Sequence, residues 1–181
     1  MRILDIFDAV QEGTYKDFKK FYNGDVNEVQ ILSNGDSNLL SLAVLNDKNP
    51  DDKIKIINFL IEKNINTSYV DNRYKRNALH WLFFSFLRGS TEHILQVAKL
   101  LIENGVEVNS RDGFGAIPLQ YAISSSKLST EDMHDIYLYL LASGSDYNSK
   151  DDYGNSCLDY AEMFSRDSFI DIVKEYENEN K

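Results

Sequence analysis

The chain has 181 residues, 27% of them charged and 43% hydrophobic, which suits one globular domain with a core large enough to fold without staples. Its net charge of −10 argues against nucleic acid as a ligand, since neutralising phosphates takes clustered Lys and Arg. The same charge points to a basic partner, because opposite fields speed encounter. The single Cys157 leaves no internal disulfide and fits a reducing compartment. Asp5 and Asp8 interrupt the apolar core that a signal peptide would need, and the longest apolar run, WLFFSFL at 81–87, is far too short to span a bilayer. A cytoplasmic location away from membranes is therefore expected.

In chain order, IFDAVQEGTYKDFKKFYNG (6–24) reads as a degenerate first copy of the pattern that follows. SNGDSNLLSLA (33–43) then opens a helix, and a second helix starts after Asn49-Pro50 and ends at Asn64. NRYKRNALHWL (72–82) repeats the sequence, with Ser90-Thr91 as the next start and Gly105 as the end. DGFGAIPLQYA (112–122) follows, with Ser129-Thr130 and Gly144, and DDYGNSCLDYA (151–161) with Ser165 completes the set. Ser, Thr or Asn before an apolar-periodic run marks a helix start, and Gly or Asn suits the left-handed residue after a helix end. Leu40, Leu79, Leu119 and Leu158 fall in register, 39, 40 and 39 residues apart. A fixed period of this size predicts stacked helix–turn–helix–loop units. The unit boundaries are 3–32, 33–71, 72–111, 112–150 and 151–177, with a frayed acidic tail at 178–181.

The segments GVEVNSRDGFGAIPL and GSDYNSKDDYGNSCL resemble the ankyrin repeat family, and ALHW and SNLLSLAV keep parts of the same pattern. The resemblance covers about residues 3–177. It implies an all-α solenoid of stacked helix–turn–helix units joined by finger loops. Three departures stand out: Lys75 replaces a finger glycine, Asn64 a terminal glycine, and Leu82 a small alanine. The loops at 45–52, 84–91 and 124–130 are also long and contain Phe86, Leu87 and Leu128; they read as one extra helical turn per helix and a looser turn. The G-x-G of DGFG is then a finger and not a phosphate loop, since Pro118 has no N–H to donate and no apolar strand precedes it.

Little in the chain suggests catalysis. His80, His93 and His134 lack metal-ligand spacing, and no G-x-S-x-G, HExxH, DFG or Walker pattern occurs. By resemblance, His80 bridges backbone groups of the fingers. Cys157 precedes the core Leu158 among acids, which suits a buried small side chain better than a nucleophile. Asp51-Asp52 and Glu131-Asp132 sit at helix starts, where they favour the dipole. No cofactor, no metal and no enzyme activity are expected.

Candidate binding residues come from two repeat positions. Two residues after each leucine stand Leu42, Trp81, Tyr121 and Tyr160; five before it stand Gly35, Tyr74, Phe114 and Tyr153. In a regular stack the first set faces the concave side and the second lies near the finger tips, two rows along one surface that either anchor a partner or pack neighbouring units together. Arg73, Lys75 and Arg76 make the second finger basic, Asp151 and Asp152 make the fourth acidic, and Arg111 lies between them. The expected function is protein binding by a monomer. Small acidic proteins rich in Asn, Lys, Ile and Tyr resemble bacterial immunity proteins that plug a secreted toxin; a scaffold holding two partners is the alternative.

Overall fold

The structure, a computed structural model, describes residues 2–33, 35–45, 47–84 and 90–180. It is mostly helical, with one small sheet. In order come α1 (Ile6–Glu12), α2 (Tyr15–Phe21), strands β1 (Val29–Leu32) and β2 (Gly35–Asn38), α3 (Leu39–Ala43) and α4 (Pro50–Glu62). Then follow α5 (Ala78–Phe84), α6 (Thr91–Glu103), α7 (Pro118–Ser124), α8 (His134–Ala142), α9 (Cys157–Met163) and α10 (Ser168–Glu179). The helices pack in two series, α3–α5–α7–α9 and α4–α6–α8–α10, with α1 against α3 and α2 against α4.

Helices α3, α5, α7 and α9 each begin one residue before an aligned leucine. Leu40, Leu79 and Leu119 are buried between successive helices, whereas Leu158 is half-buried where the first series ends. Asn38 and Ser90 cap their helices by accepting from the backbone N–H of Ser41 (2.8 Å) and His93 (3.2 Å). The second helices end as the glycines and Asn64 require. Asn64, Gly105 and Gly144 have φ of 60°, 89° and 88°. The next N–H in each case, from Ile65, Val106 and Ser145, reaches back to the carbonyl of Leu60, Leu101 or Leu140 at 3.0 Å.

Four expectations change. The chain is not all helix: β1 pairs antiparallel with β2, Val29 opposite Asn38 and Leu32 opposite Gly35. Gly35, at φ 136°, permits the reversal, and the hairpin leaves Ile31 80% exposed. Ser129 caps a separate turn through the N–H of Asp132 (3.0 Å), so α8 starts at His134; Ser165 takes φ 54° after α9, and α10 starts at Ser168. The extra loop residues do not lengthen the first helices. In a unit with the insertion α7 has seven residues, as does α9 in the unit without it. Phe86 and Leu87 lie outside the described residues, while the Leu128 carbonyl accepts from Arg166 Nη1 at 2.9 Å. The acidic tail is helical through Glu179.

Lys53, on α4, ties the N-terminal pair to the rest. Its buried ammonium donates to the carbonyls of Val10 and Gln11, the latter at 2.7 Å, near the negative end of α1. Burial pushes its pKa down to about 8, with Glu12 opposing. Lys53→Met keeps the stem but strands both carbonyls, so urea unfolding should show a loss of about 1–3 kcal/mol.

Candidate functional site

The inter-unit loops share one internal design. Asp71, Asp112 and Asp151 are buried, and each accepts backbone N–H groups from its own loop. Lys75, Gly115 and Gly154 follow at φ of 58°, 74° and 84°, so the lysine departure keeps the left-handed turn. Adjacent loops are stitched together: the Gly113 N–H donates to the Tyr74 carbonyl (2.6 Å) and the Asp152 N–H to the Phe114 carbonyl (3.0 Å). This stitching aligns Tyr74 and Phe114, whose rings stack at 6.3 Å.

The residue after the aligned leucine straps one unit to the next at two junctions, those of His80 and Gln120. His80 Nδ1 accepts the Asn77 N–H (3.2 Å), and with the proton on Nε2 the ring donates to the Ala116 carbonyl (3.0 Å). Gln120 does the same with other atoms. Its Oε1 accepts the Ile117 N–H (2.8 Å) and its Nε2 donates to the Asn155 carbonyl (2.8 Å). Burial drives His80 down to about 4, so the imidazole is neutral near pH 7.

The two aromatic rows are placed unevenly. Trp81, Tyr74 and Tyr160 are half-buried, Phe114 is 39% and Tyr153 72% exposed, and Tyr121 is only 9% exposed. Tyr121 donates to Asp112 Oδ2 at 2.5 Å, and Tyr160 donates to Asp151 Oδ2 at 2.6 Å. Burial, then the Asp151 carboxylate, pushes the Tyr160 phenol up to about 12, so it stays a donor. Tyr121 is thus a packing residue as much as a groove residue.

Arg76 is the residue that sequence reading misplaced. It is 6% exposed and adds no charge to the finger surface. Its guanidinium lies inward, 4.2 Å from the Phe84 ring centre and 4.8, 4.9 and 5.2 Å from those of Tyr74, Tyr121 and Trp81. Nη2 donates to Tyr121 Oη (2.7 Å), and Nε stands 3.6 Å from Asp112 Oδ2, too long for a hydrogen bond but close enough to pair charge. The signal was available in register. Three residues before the aligned leucines stand Ser37, Arg76, Ala116 and Asn155, one long cation among short side chains.

On either side of this filled junction the row opens. A pocket of about 250 Å³ lies between the hairpin and α5, with Leu42, Tyr74 and Trp81 on its walls and Ser37 and Asp71 beside them. A second, of about 220 Å³, lies between the third and fourth loops, with Phe114, Tyr121, Tyr153 and Tyr160 around Ala116 and Asp151. The structure therefore brings Trp81 and Tyr74 to one pocket, and Tyr121, Tyr160, Phe114 and Tyr153 to the other.

Surface charge is sparser than the sequence suggests. Asp151 is buried in its loop, leaving Arg73, Lys75, Arg111 and Asp152 outside. Arg111 is occupied by Ser149 Oγ (2.9 Å) and the Lys150 carbonyl (2.7 Å), with Asp152 at 3.9 Å, an exposed pair of small energetic weight. Cys157 is buried, and burial raises its thiol pKa. Among the described residues no cluster of three His, Cys, Asp or Glu could hold a metal ion, and no helix is long and apolar enough to cross a membrane. No protein-family model matches the chain, and no curated protein sequence matches it.

Proposed function

We propose that the chain is a non-enzymatic protein-binding module of ankyrin-repeat type that works by occupying a partner's surface. The observation that carries this reading is the pair of aromatic-walled pockets formed between the two rows of repeat positions, Tyr74 with Trp81 and Phe114 with Tyr153 and Tyr160. Aromatic side chains bury large area at little entropic cost, which is why they anchor interfaces. The two helix series and the stitched loops support a repeat stack as their scaffold. The most specific form of the proposal is a cytoplasmic, bacterial immunity protein that neutralises a cognate basic toxin, for which a net charge of −10 supplies the steering field. The separation of the two pockets by the Arg76 junction favours one alternative, a scaffold that grips two partners.

The test uses the protein encoded by the neighbouring reading frame, with affinity capture where that frame offers none. Trp81→Ala and Tyr153→Ala should each weaken binding by about 2 kcal/mol or more in calorimetric titration, the threshold for a hot spot. Tyr153 is 72% exposed, so its loss should leave thermal melting nearly unchanged. Unaltered affinity in both variants removes the aromatic row from the interface.

A further inference from the structure

We infer that the pocket between the third and fourth loops is a vacant copy of the Arg76 cage and takes the guanidinium of a partner's arginine side chain. The argument is one of register. At the Arg76 junction the cation is held by Tyr74, Trp81, Phe84 and Tyr121, with the Asp112 carboxylate behind the Tyr121 hydroxyl. One unit further on, Phe114 stands for Tyr74, Tyr121 for Trp81 and Tyr160 for Tyr121. Asp151 stands for Asp112, and it accepts from Tyr160 Oη at 2.6 Å as Asp112 accepts from Tyr121 Oη at 2.5 Å. The position of Arg76 itself is Ala116, so three of the four rings and the carboxylate remain while the cation is gone. About 220 Å³ is left open in its place.

The fourth ring, Phe84, is replaced by Ser124, which widens the mouth and adds a hydroxyl. An arginine suits this site better than a lysine. Its planar cation stacks on aromatic faces, sheds water at lower cost and can place N–H groups on the Tyr160 oxygen and Asp151 together. The pocket towards the hairpin is a poorer copy. There Trp81 takes the tyrosine position, and its buried Nε1 has no hydrogen-bond partner among the described residues, where Tyr121 and Tyr160 bond an aspartate.

This inference rests on the reading of the row as an interface but is tested without any partner. The probe is N-acetyl-arginine methylamide, titrated into the full chain and followed by the amide NMR signals of residues 114–124 and 151–160. Saturable shifts are expected, with a dissociation constant on the order of millimolar, as befits a single side chain. The neutral isostere N-acetyl-citrulline methylamide should bind at least about fivefold more weakly, because the cation–π attraction is gone. Ala116→Arg should fill the cage from within and weaken the probe by about tenfold or more, because the chain's own guanidinium then holds the same rings. Phe114→Ala, which removes one partly exposed wall, should weaken it several-fold and serves if Ala116→Arg does not fold.

Equal binding of the citrulline compound, shifts that never saturate, or wild-type affinity in a folded variant would each overturn the cage. Capture of a partner that depends on Trp81 and Tyr153 would stand even so. Conversely, a working cage in a chain that binds no protein would sink the interface reading alone.

Discussion

Arg76→Ala should cost about 3–5 kcal/mol of stability in urea or thermal unfolding, the usual loss when one member of a buried charge pair is removed. Two effects add. The Asp112 carboxylate, whose side chain is fully buried, loses its paired cation and keeps the Tyr121 hydroxyl and two loop N–H groups. The four rings around the guanidinium also lose their centre, leaving a void that packed helices collapse into only partly. Arg76→Met separates the two contributions. The methionine refills the void and touches the rings with its thioether, so any loss that remains belongs to Asp112. A loss below about 1 kcal/mol for the alanine variant, the level of an exposed ion pair, would mean that the cage is solvated and not structural.

Acid should weaken the fold through His80. Its folded pKa is held near 4 by burial, with Arg76 adding to the depression and the Ala116 carbonyl, Asp112 and Asp71 opposing it. In the unfolded chain it returns to about 6.5. Between those values the unfolded state binds the extra proton, so stability rises with pH through the window and falls as pH drops from about 6.5 to 4. The full swing is about 3 kcal/mol, reached near pH 4 and constant below it for this group. The neighbouring junction supplies the control. Gln120 makes the same two bonds without titrating, so His80→Gln should match wild type within about 1 kcal/mol at pH 7. It should also lack the acid-dependent component when unfolding is followed at several pH values. A parallel pH slope in the two proteins would place the acid sensitivity elsewhere.

Much of the helix pattern was readable because its determinants are local. The aligned leucines, the Ser90 cap and the left-handed Asn64, Gly105 and Gly144 each act within a turn or two of chain. The hairpin was not: Val29–Leu32 lacks a buried face, and Gly35, which permits the turn, falls equally on the finger position of the aligned repeats. The site was half legible. Spacing put Trp81, Tyr121, Tyr160, Tyr74, Phe114 and Tyr153 on common rows, but spacing cannot say which way a long side chain folds. Arg76 looked like a surface charge by its neighbours Arg73 and Lys75, and only the rings from α5 and α7 explain why it turns inward.

A row of equivalent units has translational symmetry, and a partner lying along it could slide by one repeat and meet the same surface again. Arg76 breaks that symmetry. With the central junction sealed by the chain's own cation and the flanking junctions open, the two vacancies sit at fixed separation and differ in chemistry, one floored by Leu42 and Trp81, the other ringed by Tyr121 and Tyr160. On the proposed reading, a ligand that reads both would dock in one register only. The arginine buried at that junction would then act as a stop on the ruler.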